Sequence, residues 1–136
     1  MDKLKFHKII LFFLLLSLAG LTHAQSKISV KASIDKNKVL IGERIQLSLE
    51  AVFPSNKDVH FFSIDSIPHF EIVQKGKTDT AKTTNGISLR QQLQLTSFDS
   101  GHWVIPAFLL DKKIKTDPIP VDVIFSDFDP SKDYHD

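Results

Sequence analysis

Ile45-Gln46-Leu47-Ser48-Leu49-Glu50-Ala51-Val52-Phe53 decides the fold class of this chain. Ile45, Leu47, Leu49, Ala51 and Phe53 alternate with Gln46, Ser48 and Glu50, and Arg44 extends the polar row. Successive side chains of a strand point to opposite sheet faces, so this stretch has one face for a core and one for water. Pro54-Ser55-Asn56 ends it, because proline has no N–H to give a ladder.

The same period recurs outward in both directions. Upstream, Ile28, Val30, Ala32 and Ile34 alternate with Ser29, Lys31 and Ser33. A polar turn, Asp35-Lys36-Asn37-Lys38, leads to the apolar patch Val39-Leu40-Ile41, which Gly42-Glu43 closes. Downstream, Val59 to Ile64 is a short apolar stretch, and Phe70-Glu71-Ile72-Val73 predicts another strand. Gly76 to Thr84 is polar and Thr-rich, the pattern of an edge strand or mobile ribbon. Asn85-Gly86 predicts a type I′ hairpin turn, since both residues tolerate positive φ. Ile87, Leu89, Leu93 and Leu95 then share a face that Gln91 interrupts. Asp99-Ser100-Gly101 turns the chain into Trp103-Val104-Ile105-Pro106, with Phe108-Leu109-Leu110 continuing across a bend. Ile119, Val121, Val123 and Phe125 alternate in a closing strand. About seven strands at intervals of about ten residues predict an all-β fold, a single immunoglobulin-like β-sandwich.

Residues 1–24 read as a signal peptide. Lys3, Lys5 and Lys8 precede an apolar run from Ile9 to Leu21, and Thr22-His23-Ala24 supplies a small-residue exit. The run is shorter than the roughly 20 residues a spanning helix needs, so cleavage is expected after Ala24 and the protein is expected to be exported. The alternative is an uncleaved anchor. Residues 25–126 form the sandwich domain, and residues 127–136, with Asp127, Asp129, Asp133 and Asp136, read as a flexible acidic tail.

Charge and composition narrow the function classes. The chain has 17 basic and 16 acidic residues. Lys3, Lys5, Lys8 and Asp2 leave with the signal, so the remainder holds 14 basic and 15 acidic residues and nets −1. This balance argues against nucleic acid as a partner, since its binders carry a basic stripe. The chain has no cysteine, which removes thiolate catalysis, cysteine-ligated metals and the inter-sheet disulfide of antibody domains. The only Trp is Trp103 and the only Tyr is Tyr134.

No constellation of catalysis or metal binding emerges. His60, His69, His102 and His135 lack metal-ligand spacing; His60 and His69 flank a Phe-rich loop and are the one pair placed to meet in space. The acidic tail lacks the glycine and terminal glutamate of a calcium loop. There is no nucleophile elbow and no glycine-rich phosphate cradle. The expectation is therefore no enzyme, no catalytic residue, no cofactor and no metal. Phe61 and Phe62, beside Pro68 and Phe70, are the candidate partner-binding residues, with core packing as the plainer reading.

Several stretches taken in order resemble BatD-like proteins of bacterial aerotolerance operons. Ala32-Ser33-Ile34-Asp35-Lys36-Asn37-Lys38-Val39, then Gly42-Glu43 before Ile45-Gln46-Leu47-Ser48-Leu49, is similar to the family's opening. Phe70-Glu71-Ile72-Val73 resembles its post-loop strand, and Gly101-His102-Trp103-Val104-Ile105-Pro106 its glycine, aromatic, apolar, Ile-Pro step. Thr116-Asp117-Pro118-Ile119-Pro120-Val121-Asp122-Val123 is similar to its closing strand. The resemblance spans about residues 28–125. It implies a non-catalytic periplasmic module that works by protein–protein contact in the cell envelope, in stress or oxygen tolerance. It further implies von Willebrand A-domain membrane proteins as partners, encoded beside a MoxR-type ATPase. It supplies no binding residues. Typical members are longer, with several β domains and a C-terminal membrane helix. Two expectations follow, a short soluble paralogue or a fragment ending before a membrane span, and membrane anchoring stays open between them. The alternative function is a secreted carbohydrate-binding or adhesin-like domain, which a row of exposed aromatics including Trp103 would favour.

Overall fold

A computed structural model describes residues 2–18 and 27–125. The expected cleavage point after Ala24 and the acidic tail lie outside these residues. One helix, α1 (Asp2–Leu18), precedes eight strands. No helix among the described residues is long and apolar enough to cross a membrane.

The strands are β1 (Ser29–Ile34), β2 (Lys38–Leu40), β3 (Ile45–Pro54), β4 (Glu71–Lys75), β5 (Asp79–Thr83), β6 (Gly86–Thr96), β7 (Gly101–Ile105) and β8 (Ile119–Ile124). They make two sheets, and the all-β sandwich expected from the alternation is what forms. The larger sheet runs β1-β3-β6-β4, with β5 also paired to β6. The smaller runs β2-β8-β7. All pairings are antiparallel except β2 with β8, which is parallel.

β3 and β6 carry the core because each is flanked by strands on both sides. Their register sets Leu47 against Leu93, Ile45 against Leu95 and Ala51 against Leu89. Ile45, Leu47, Ala51, Phe53, Leu93 and Leu95 are all 0% exposed. From the smaller sheet, Val39, Ile105, Val121 and Val123 close the layer. Among the described residues, the buried cluster is drawn from Val39 to Val123, with Ile28 to Ile34 packed against it.

Two expectations are corrected. The Phe108-Leu109-Leu110 segment does not continue β7. It folds into a small hairpin, in which Leu109 bridges Lys115 and Thr116 N–H donates to the Phe108 carbonyl at 3.0 Å. Asp111 closes the tip by accepting from the Lys113 and Ile114 N–H groups at 2.8 and 3.0 Å, an Asx-type turn that competes with strand extension. The β5–β6 turn also sits one residue earlier than Asn85-Gly86. Thr83 pairs with Gly86, leaving Thr84 and Asn85 as the loop. Neither has positive φ; Gly86 does, at 151°.

Candidate interaction surfaces

The outer faces of the two sheets differ in chemistry. On the larger sheet, β3 and β6 present Gln46, Ser48, Glu50, Arg90, Gln92 and Gln94 outward, opposite the buried row. Gln46 Nε2 donates to Gln92 Oε1 at 2.6 Å, and Arg90 pairs with Glu50 at 3.2 Å. This is the ordinary solvated face of an antiparallel sheet. On the smaller sheet the outward positions include Leu40 beside Ile124 and Val104 beside Pro120. Val104 is 55% exposed. One polar row crosses this apolar surface, where His102 Nδ1 bonds Asp122 Oδ1 at 2.6 Å.

Among the described residues, β7 pairs only with β8, and no described strand lies on its other edge. Gly101-His102-Trp103-Val104-Ile105 holds no Lys, Asp, Glu or Pro. The remaining edges are guarded in the usual ways. β1 carries Lys31, β5 carries Asp79 and Lys82, and β2 is only three residues long. The register of β4 against β6 is broken between Ile72 and Gln74.

Phe61 and Phe62 occupy the segment between β3 and β4. Phe62 is 7% exposed. It packs edge-on against Phe108 at 6.5 Å and against Phe61 at 5.1 Å. Phe62 is thus a core residue, while half-buried Phe61 packs against the core and keeps part of its ring at the surface. Any docking by the pair falls to Phe61.

His60 and His69, the pair placed to meet, lie at separate sites. The His60 ring packs on Phe53 at 5.5 Å, beside Asp111. His69 stacks on Trp103, with centroids 3.5 Å apart and planes within 8°. Its Nδ1 bonds Asp99 Oδ2 at 2.8 Å, and Trp103 Nε1 donates to the Asp99 carbonyl at 2.7 Å. His69 has φ 67°, the one non-glycine residue described in the left-handed region. Ser97 is 1% exposed, and its hydroxyl donates to the His69 carbonyl at 2.7 Å. Ser97, His69 and Asp99 therefore gather, but the serine is bonded to backbone and not to the imidazole. The group is a clasp that ties the start of β4 to the β6–β7 turn. Sequence spacing concealed it, since His69 and Asp99 are 30 residues apart.

Two carboxylates are held below their usual range. Glu43 accepts the Leu40 N–H, which is the main cause, and then the Lys36 ammonium at 2.9 Å. Asp111 is lowered first by the Lys113 N–H. Lys36 is raised by its bond to Glu43. All three are solvent-facing turn residues, so they fix turns and do not mark a reactive centre. Among the described residues, no group of three or more His, Asp or Glu gathers as a metal site.

A cleft lies where the chain enters the sandwich. It has a volume of about 540 Å³ and is lined by Lys27 and Ile28, by Lys57, Asp58 and His60, and by Asp111, Lys113 and Ile114.

Among the described residues, fold and surface together define an all-β sandwich with one polar face, one partly apolar face and one edge, β7, without a guarding charge. The family model described as "BatD DUF11 like domain" matches residues 32–123. That is more than half of the chain, and the chain belongs to the BatD family. No curated protein and no solved structure matches it.

Proposed function

We propose that this domain is an exported, non-catalytic interaction module of the cell-envelope aerotolerance and stress system. It works by protein–protein contact, with von Willebrand A-domain membrane proteins as the partners that membership of the BatD family implies. The observation that carries the reading is the smaller sheet: an exposed apolar pair, Val104 and Pro120, beside an edge with no charge to repel an incoming strand. The carbohydrate reading needs a flat row of open aromatics. Trp103 does not offer one, because His69 covers its face.

The test is a binding titration against the ectodomain of a von Willebrand A-domain protein encoded beside this gene. Wild type should bind, and Val104→Lys should weaken binding at least about tenfold, since a lysine on an edge opposes strand pairing. Circular dichroism should show the fold unchanged. Failure of the wild type to bind, or full binding by the folded Val104→Lys variant, would refute the reading.

A further inference from the structure

We propose that the end of the sandwich where the chain enters is a docking site for an anionic membrane surface. Three separate segments meet there, residues 27–28, 57–60 and 111–114, and line the 540 Å³ cleft. The lining holds Lys27, Lys57 and Lys113 against Asp58 and Asp111, and Lys112 is the next residue along the chain. The lining charge is thus +1, on a chain that nets −1 after the first 24 residues. One of the two acids is already engaged, because Asp111 Oδ1 accepts two backbone N–H groups of its own turn. Among the described residues, no salt bridge engages Lys27, Lys57, Lys112 or Lys113, and all four are exposed.

The apolar component sits among these charges. Ile28 and Ile114 are half-buried and pack against the core, forming the apolar part of the cleft lining. Val59 is 42% exposed and Leu109 is 63% exposed, each on a loop next to the lysines. Exposed aliphatic side chains close in the chain to lysines suit the headgroup region of a bilayer, where the chains enter the acyl boundary and the ammonium groups meet phosphates. Each lysine near an anionic leaflet adds attraction that decays within a Debye length. Backbone hydrogen bonds close both loops, which limits the ordering lost on docking: the Lys57 N–H donates to the Pro54 carbonyl at 3.1 Å, and the Leu110 N–H donates to the Ile114 carbonyl at 2.8 Å.

The experiment is vesicle flotation with the chain from Gln25 onward, the form that the expected cleavage after Ala24 leaves. Vesicles of phosphatidylglycerol with phosphatidylcholine should carry the protein up at low salt. Vesicles of phosphatidylcholine alone should not. The double variant Lys57→Glu/Lys113→Glu should lose at least about tenfold in apparent affinity. Lys31→Glu/Lys82→Glu, on the edges of the larger sheet, should float like wild type. Leu109→Ser should weaken flotation without changing circular dichroism. Equal flotation on both vesicle types, or no effect of the Lys57/Lys113 reversal in a folded protein, would overturn the proposal. So would full displacement by millimolar glycerol phosphate, which would make the cleft a site for a free small anion. Binding to the von Willebrand A-domain partner is scored separately, so the two readings fail independently.

Discussion

A Cβ built on Gly86 would lie 1.8 Å from the Phe53 carbonyl oxygen, and its φ of 151° is one that side chains avoid. The glycine is needed less for the turn than for the close approach of β6 to the end of β3. Gly86→Ala should therefore destabilise the domain by about 1–3 kcal/mol or more, as backbone overpacking does; urea unfolding would measure it, and an unchanged midpoint would refute it. The hairpin was legible from Asn85-Gly86, but the reason for the glycine was not, since it lies in contact with a residue far along the chain. His69 presents the same difficulty. Nothing local in Pro68-His69-Phe70 announces a stack on Trp103. Because Trp103 is the only tryptophan, its fluorescence reports the clasp directly. His69→Ala should shift its emission to the red as the ring is wetted, and cost about 1 kcal/mol through the lost stack. Emission identical to wild type would show that the ring is covered by something else.

Among the elements, β3 was the most legible because it is the most constrained. It is paired on both sides and buried on one face, so its alternation is nearly free of exceptions. Leu47, 0% exposed and set against Leu93, has no solvent to relax into. Leu47→Ala should cost about 2–5 kcal/mol, the range for a core cavity that cannot collapse, and thermal unfolding would register it. A shift within error would mean that β3 is not the centre of the core. Legibility falls off where a strand loses a neighbour. β5 is exposed at every position, so hydrophobic pattern gives it no face, and its Thr-rich composition was the only clue. Gln91, which breaks the apolar row of β6, is explained by the same region. Its Nε2 donates to the Gly76 carbonyl at 2.8 Å and stitches the gap between β4 and β5. Val59 to Ile64 has the composition of a strand and forms none. Phe62 and Ile64 are buried, yet the segment joins neither sheet. Pairing partners depend on the whole fold, and the parallel β2–β8 contact was likewise beyond any local reading.

For the molecule as a whole, charge acts at the turns and packing acts in the middle, so acid should loosen the turns first. Glu43 ties the β2–β3 turn through the Leu40 N–H at 3.0 Å and Lys36, and Asp111 ties the hairpin tip. Both carboxyls are held below their usual range in the folded state. The unfolded chain therefore binds protons at a higher pH than the folded one, and stability falls as pH drops through and below the ordinary carboxylate range, about pH 4. Lys36, raised by Glu43, works in the opposite sense: its contribution is complete at neutral pH and is lost only as pH climbs through the folded-state lysine range. Between these limits stability should be level with respect to these groups. Urea midpoints measured across the acid range should fall steadily for wild type. Glu43→Gln, which keeps the shape but cannot titrate, should start lower at neutral pH and fall less steeply. Parallel slopes for the two proteins would mean that Glu43 is as easily protonated folded as unfolded, and that the turn is held by its backbone alone.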